Sequence, residues 1–191
     1  MGVDKGSLAY RDSATPQVLA AVGLVGEVCR RVFVSVNAQQ AGDSLYAPFQ
    51  TIVDTAVDRG PAGGLRSAFE THPTVAWLVV AVDMPLVTTG MLRALIEQRQ
   101  PNRIATVLRH ADGTIEPLCA IWERQSFELI GEELASGRGS LRALAEENSA
   151  AIAALPEPDR LDSANTPEER ARMQQRVRAA DTPQSARTPR S

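Results

Sequence analysis

The sequence is poor in aromatic residues, cysteine and histidine, and it carries no surplus of positive charge. Of its 191 residues only 4% are aromatic and two are histidine, and the formal net charge is −3. So few aromatic side chains give no sign of a base-stacking surface, and nucleic-acid binding needs a basic face that neutralises phosphates. We therefore expect no nucleic-acid partner, whereas a locally positive site for a small anionic substrate remains open.

The two cysteines, Cys29 and Cys119, stand far apart and belong to no CxxC or Cys/His cluster. This spacing indicates neither a zinc site nor a disulfide framework, and it favours two thiols packed in the core. The longest apolar run, residues 75–82, is far shorter than the roughly 18 residues that a membrane span requires. The start has no basic-then-apolar signal pattern. The sequence therefore predicts a cytoplasmic protein with no membrane partner.

The length and the apolar pattern predict one domain over residues 1–180 and a disordered tail at 181–191, which lacks large apolar residues. Helical and strand-like segments alternate along the domain. The predicted helices are 15–31, with Thr15 as the N-cap, then 65–71, a helix opening at Thr88 or Thr89, 125–136, 140–148, and a last helix that opens with a capping box at Thr166 and ends near Ala180. The predicted strands are 32–37, 50–54, 76–82, 103–108, 115–122 and 150–155.

This order of elements predicts an α/β fold with a doubly wound, mostly parallel sheet. Residues 76–82 are apolar on both faces, as in a strand covered by helices on both sides, and are predicted to be the central strand. Residues 103–108 and 115–122 are joined by a short Ala-Asp-Gly segment, which predicts a hairpin that adds an antiparallel pair.

Three predicted strands end on polar residues: Asn37, Asp54 and Asp83. In doubly wound sheets, ligands bind at the carboxyl ends of the strands. Asp83 follows the most apolar strand, and a carboxylate there suits Mg²⁺, which proteins hold with one or two carboxylates together with substrate phosphates and water. Asp83 could equally cap the turn that follows it. No basic residue near it in sequence offers a partner for its charge.

Two glycine-containing segments are candidates for phosphate contacts. Residues 2–6 surround Lys5 with small residues, so that backbone amides and an ammonium group can approach phosphate oxygens. The GxxxxGK[ST] motif is absent, and an exposed lysine near a terminus is the simpler interpretation. Residues 59–64 are predicted to form a turn before a helix, which could receive an anion at the helix start or be a plain tight turn.

Seven short segments occur in the same order as the signature motifs of one family: MGVDK at 1–5, VSVN at 34–37, GPAGGL at 60–65, VDMP at 82–85, EPL at 116–118, GSLR at 139–142 and NTPEE at 165–169. They are similar to MGxDK, VSxN, GPLAGL, CDMP, RQPL, RSLR and NTPEEL. On this ordered set, which extends from residue 1 to about 173, the chain resembles the molybdenum cofactor guanylyltransferases. That family belongs to the nucleotidyltransferases with a Rossmann-like sheet.

The resemblance implies an enzyme that transfers GMP from GTP to the terminal phosphate of molybdopterin carrying molybdenum, with Mg²⁺ as metal cofactor and pyrophosphate as the leaving group. By the match of motifs, Lys5 would contact the triphosphate and Asp83 the magnesium ion, and these two would be the catalytic residues. Asn37 and Asp54 would contact the nucleoside, and Asn165 would be a further binding residue. Molybdoenzymes or other biosynthetic proteins would be its protein partners.

The sequence also departs from the family. The LAGGxSxR portion, which in the family supplies the usual first strand and a Gly-rich nucleotide loop, does not precede MGVDK here. Either the natural chain is longer or this is a shortened relative, and the coding DNA upstream of Met1 would distinguish them. Val82 replaces a cysteine, and Glu116 stands where a basic or polar residue is usual. Two alternatives therefore stay open: a relative that uses CTP on another acceptor, and a non-catalytic relative that binds a partner protein.

Overall fold

The computed structural model describes residues 4–10, 14–55, 59–155, 158–164 and 166–181. The strands are β1 Val34–Val36, β2 Thr51–Val53, β3 Trp77–Val80, β4 Ala105–Arg109, β5 Ile115–Trp122 and β6 Ala151–Ile152. The α-helices are α1 Gln17–Gly26, α2 Gly60–Thr71, α3 Thr89–Glu97, α4 Ser126–Ala135, α5 Leu141–Glu147 and α6 Pro167–Asp181. Short 3₁₀ helices lie at Lys5–Ser7, Gln40–Gly42 and Pro158–Leu161. Of the predicted tail at 181–191, Asp181 is the last residue of α6, and the rest lies outside the described residues.

The strands form two sheets within the described parts of the chain. β1 and β2 pair in parallel, and the second sheet has the order β3-β5-β4-β6. β5 runs antiparallel to both β3 and β4, and β6 runs parallel to β4. Three of these four strands therefore point the same way. The α/β class and the antiparallel β4–β5 hairpin are confirmed.

β3 is an edge strand of the four-stranded sheet as far as the described residues go, so its prediction as the central strand is wrong. The apolar pattern arises because both faces of β3 are covered. Trp77 and Val79 pack against the core cluster under α2, α4 and α5, and Leu78 and Val80 pack against the cluster under α3. Residues of β3 and Phe33, which precedes β1, line a cavity of about 250 Å³.

β5 contains a proline, although it lies between two other strands. The pairing with β4 shifts register, so that Val107 lies opposite Ala120 while Leu108 lies opposite Glu116. The extra residues of β5 form a β-bulge around Pro117, which has no backbone N–H to donate to a neighbouring strand. The Trp122 indole donates a hydrogen bond to the Pro117 carbonyl at 3.0 Å, and this contact closes the bulge.

Two helix boundaries differ from the sequence prediction. α1 begins at Gln17 with Pro16, not Thr15, at the N-cap, because the backbone of Pro16 is extended and its carbonyl accepts from the Ala20 amide. It ends at Gly26 rather than near residue 31. By contrast, the predicted capping box of α6 is confirmed: the Thr166 amide donates to Glu169, and the Glu169 amide donates to the Thr166 hydroxyl. No helix of the described chain combines the length and apolar character that a bilayer crossing demands.

The two thiols have different surroundings, and their reactivities should differ accordingly. Cys119 is fully buried, and burial raises its pKa to about 12, whereas Cys29 is only half-buried and burial raises its pKa less. Because the thiolate is the reactive form, we expect iodoacetamide at pH 8 to label Cys29 in the native protein and Cys119 only after unfolding. Peptide mass spectrometry of timed samples measures both rates, and equal labelling of the native protein would contradict this assignment.

Candidate functional site

The Asp83 carboxylate and the Lys5 ammonium form an ion pair, with 2.5 Å between Asp83 Oδ2 and Lys5 Nζ. Asp83 lies just beyond the carboxyl end of β3, and its side chain is 13% exposed, against 41% for Lys5. The two residues are 78 positions apart in sequence, so sequence neighbours could not reveal the partner. The expectation that Asp83 lacks a basic partner is therefore wrong.

Lys5 is connected to the end of β1 through its chain neighbour Asp4 and a series of hydrogen bonds. Asp4 precedes Lys5 and accepts a hydrogen bond from the Gln40 carboxamide at 2.9 Å. Gln40 also exchanges two hydrogen bonds with Asn37: the Asn37 amide donates to Gln40 Oε1, and the Gln40 amide donates to Asn37 Oδ1. The predicted residues Lys5, Asp83 and Asn37 thus belong to one edge of the molecule. Gln40 was not predicted, because it belongs to none of the motifs.

Asp54 follows β2 and lies beside the end of β1, since its amide donates to the Val36 carbonyl at 2.8 Å. Its carboxylate faces α2, where the Ser67 hydroxyl in the second half of the helix donates to Asp54 Oδ1 at 3.4 Å. A Cβ atom on Gly63 would lie only 2.9 Å from Asp54 Oδ2. Asp54 therefore stands at the same strand ends as Asn37, pressed against α2.

The glycine segment at 60–64 forms the first turns of α2, so its prediction as a turn before the helix is wrong. Gly60 has a φ of 58°, which glycine adopts readily, and Pro61 occupies an early helical position, where a missing N–H costs nothing. A Cβ atom on Gly64 would lie 2.6 Å from Ser35 Oγ in β1. The glycines thus let α2 approach the strand ends closely, and anion binding at this helix start stays a prediction.

Two other motif segments also lie near the site. The Ala164 amide donates to the Asp83 carbonyl at 3.4 Å, which places the start of the NTPEE segment against Asp83, although Asn165 itself lies outside the described residues. Gly139, in the GSLR segment, lies next to the start of α2, because a Cβ atom on it would be 3.7 Å from the Arg59 carbonyl. The first segment therefore borders Asp83, and the second borders the start of α2.

Glu116, one of the departures from the family pattern, has its own partners. Its carboxylate lies 3.0 Å from His110 Nε2 and accepts a hydrogen bond from the Leu118 amide at 2.8 Å. These contacts hold the β4–β5 hairpin and its bulge. The glutamate therefore has a local structural role, whatever its part in acceptor recognition.

The Asp4 carboxylate next to Lys5 has a pKa below that of an ordinary aspartate. Burial raises its pKa, but hydrogen bonds from Gln40, the Gly6 amide and Tyr46 outweigh burial and leave the pKa below its ordinary value. Its contribution to stability is thus present above the ordinary aspartate pKa and is lost as the pH falls through the lowered one. The site should keep this negative charge throughout the neutral range.

The comparisons with known proteins agree with this arrangement. Residues 1–152 match the family model described as "MobA-like NTP transferase domain". The chain belongs to this family. It is a family of nucleotidyltransferases, so the α/β sheet with its polar strand ends is the scaffold of a transferase. The fold and the ordered motifs are thereby accounted for together.

Curated relatives carry more specific names. The chain is 30% identical over 170 residues to the "Probable molybdenum cofactor guanylyltransferase" of Mycobacterium avium, covering 87% of this chain and 84% of that protein. It is 29% identical over 131 residues to the "Molybdenum cofactor biosynthesis bifunctional protein" of Synechocystis sp., covering 68% of this chain. The match spans only 37% of the bifunctional protein's length.

Solved structures share the fold. "Molybdopterin-guanine dinucleotide biosynthesis protein A" from Archaeoglobus fulgidus superposes with a TM-score of 0.70 at 17% identity, covering 91% of this chain and 90% of that one. A protein from Aquifex aeolicus gives 0.67 at 16% identity, covering 77% of each chain. Identities this low show the fold alone. The likeness confirms the Rossmann-like α/β architecture.

The close packing of α2 against Asp54 can be tested with two glycine substitutions. Replacing a helical glycine with alanine ordinarily stabilises a helix by up to about 1 kcal/mol. Gly63→Ala should instead lower the free energy of unfolding, because its Cβ would lie 2.9 Å from the Asp54 carboxylate, which Ser67 holds, and 3.1 Å from the Arg59 Cβ. Gly23→Ala, in α1 with nothing within 4 Å of its Cβ, is the matched control and should be neutral or stabilising. Urea unfolding measures both, and a Gly63→Ala protein as stable as the control would refute the packing argument.

Proposed function

We propose that the protein transfers GMP from GTP to the terminal phosphate of molybdopterin. An oxygen of that phosphate attacks the α-phosphorus of GTP, a new P–O–P linkage forms, the bond from the α-phosphorus to the bridging oxygen breaks, and pyrophosphate leaves with the electron pair. The attacking phosphate is already ionised, so the reaction needs no nucleophilic side chain. The choice of acceptor and nucleotide is supported by relatives at 29–30% identity that are named molybdenum cofactor guanylyltransferases.

The observation that carries the proposal is the pairing of Lys5 with Asp83 at the strand ends. One ammonium and one carboxylate, at 2.5 Å, meet where a sheet of this type receives its ligand. The ammonium would contact the triphosphate and offset the negative charge that builds on its oxygens during transfer. To do so it would exchange the Asp83 oxygen for a phosphate oxygen. Its 41% exposure leaves the side chain room for that change.

The other strand-end residues would bind the nucleoside. Asn37 is exposed and Asp54 is half-buried, and they follow the adjacent parallel strands β1 and β2. Their amide and carboxylate groups can accept hydrogen bonds from base or ribose donors, and the Asn37 side chain can also donate. Asn165 would add a contact from the segment that borders Asp83.

The donor chemistry at Asp83 fits magnesium. Its carboxylate is a hard oxygen ligand, and it already faces a cation, the Lys5 ammonium. No cluster of three or more His, Cys, Asp and Glu side chains exists within the described ranges, but a site of this kind needs only one or two carboxylates when phosphates and water complete it. Asp83 would hold the ion. Bound there, Mg²⁺ would supply positive charge to the phosphate oxygens.

Nucleotide choice can be tested by thermal shift on the full-length protein encoded by the gene, including any residues upstream of Met1. GTP with Mg²⁺ should raise the melting temperature most, since a ligand stabilises the folded state in proportion to RT ln(1 + [L]/Kd). CTP and ATP at the same concentration are the controls. A larger shift with CTP would favour a related transferase that acts on another acceptor.

Asp83→Asn tests the metal assignment. The amide keeps the size of the side chain but binds a cation poorly, so we expect turnover to fall about 10²-fold or more. Folding should change little, because the lost ion pair involves a 41% exposed lysine and pairs of this kind contribute about 1 kcal/mol or less. Release of pyrophosphate at limiting magnesium measures turnover.

Glu70→Gln is the matched control for that substitution. It also removes one negative charge and one ion pair, to Arg66 at 3.0 Å, on the exposed side of α2. The control should keep normal turnover. An Asp83→Asn protein that works at the normal rate under limiting magnesium would show that Asp83 is only a turn residue.

A further inference from the structure

We propose that Tyr46 and Gln40, acting through Asp4, are positioning residues for Lys5. The inference rests on the proposed role of Lys5 at the triphosphate. Neither Tyr46 nor Gln40 belongs to a motif, and neither contacts Lys5 directly in the described hydrogen bonds. Their effect passes through the 3₁₀ helix Lys5–Ser7, for which Asp4 is the N-cap.

Among the described residues, the groups that donate hydrogen bonds to the Asp4 carboxylate are all neutral. The Gly6 amide donates to Oδ1 at 2.9 Å, and the Gln40 carboxamide donates to Oδ2 at 2.9 Å. The Tyr46 hydroxyl lies 2.9 Å from Oδ1 and 2.8 Å from Oδ2. Hydrogen bonds to an ionised acceptor are stronger than neutral ones. Asp4 is therefore firmly held by Gly6, Gln40 and Tyr46.

The Tyr46 hydroxyl is itself fixed, because its ring is part of the core. The residue is 4% exposed and packs with Val18 of α1 and Val36 of β1. The backbone at Gly6 lies against this ring: a Cβ atom there would be 2.6 Å from the Tyr46 hydroxyl and 3.4 Å from Cζ. Gly6 is needed here for space, and the contact sets how deeply the 3₁₀ helix sits.

Lys5 stands between two anchored neighbours. Asp4 is fixed by Tyr46 and Gln40, and Gly6 is fixed by its amide bond to Asp4 and by the ring beneath it. The backbone of Lys5 is thus held, and its side chain, 41% exposed, extends to the ion pair with Asp83. Preorganisation of this kind lowers the cost of placing a charged group in the transition state.

Two tyrosine substitutions separate this role from a general loss of packing. Tyr46→Phe keeps the ring and removes the hydroxyl that holds Asp4. Tyr10→Phe is the matched control, because Tyr10 is 2% exposed and its hydroxyl has no hydrogen-bond partner among the described residues. Gln40→Glu is a further variant: it keeps the acceptor for the Asn37 amide but turns the donor that faces Asp4 into a second carboxylate oxygen.

The first readout needs no substrate. Hydrogen exchange of the Gly6 amide, which donates to Asp4, should be about tenfold faster or more in Tyr46→Phe and Gln40→Glu, and unchanged in Tyr10→Phe. The second readout is transfer kinetics on the full-length protein. A loosened Lys5 should lower kcat about tenfold while KM for GTP changes much less, since the charge on the phosphates grows in the transition state.

Faster exchange at Gly6 with a lower kcat in Tyr46→Phe, and neither in Tyr10→Phe, supports the proposal. It is overturned if Gly6 exchange in Tyr46→Phe equals that of the control, or if exchange quickens while kcat stays normal. A wild-type protein that transfers no nucleotide would overturn the proposed function and, with it, the catalytic part of this inference. The exchange measurement would then still show whether Tyr46 holds the Lys5 helix.

Discussion

The contact between the Lys5 ammonium and the Asp83 carboxylate links two parts of the chain that sequence keeps far apart. Lys5 lies near the start of the chain, and Asp83 follows β3 after several intervening elements. Through Asp4 and Gln40 the same segment reaches Asn37 at the end of β1. Since β1 and β3 belong to different sheets within the described residues, this short 3₁₀ segment connects the functional edges of both.

A second constraint is the close approach of α2 to the strand ends. Gly63 and Gly64 face Asp54 and Ser35 at distances that leave no room for a side chain. Glycine in a helix ordinarily costs about 1 kcal/mol relative to alanine. That cost is understandable here, because a helix placed one side chain further away would leave Asp54 without its contact to Ser67. The glycines of this motif thus allow the helix to pack closely, and anion binding at the start of α2 remains a prediction.

Much of the fold could be predicted from the sequence, because apolar periodicity is a local signal. The short strands, the β4–β5 hairpin and the cap of α6 all follow from neighbouring residues. The position of β3 could not be predicted. An apolar run indicates that both faces of a strand are covered, but it does not indicate how many neighbouring strands form hydrogen bonds with that strand. The start of α2 was missed for a similar reason, since glycines that indicate a turn in isolation are required in this helix by long-range contacts.

The site was predictable only in part. The strand-end rule and the family motifs predicted Lys5, Asn37, Asp54 and Asp83 singly, while the pairing of Lys5 with Asp83 and the proposed roles of Gln40 and Tyr46 depend on contacts across the fold. The central claim is tested most directly by supplying GTP labelled at the α-phosphorus, molybdopterin and Mg²⁺ to the full-length protein. The account predicts that label moves to molybdopterin with one pyrophosphate released per transfer. Label that remains entirely in GTP, or equal transfer from labelled CTP, would contradict it.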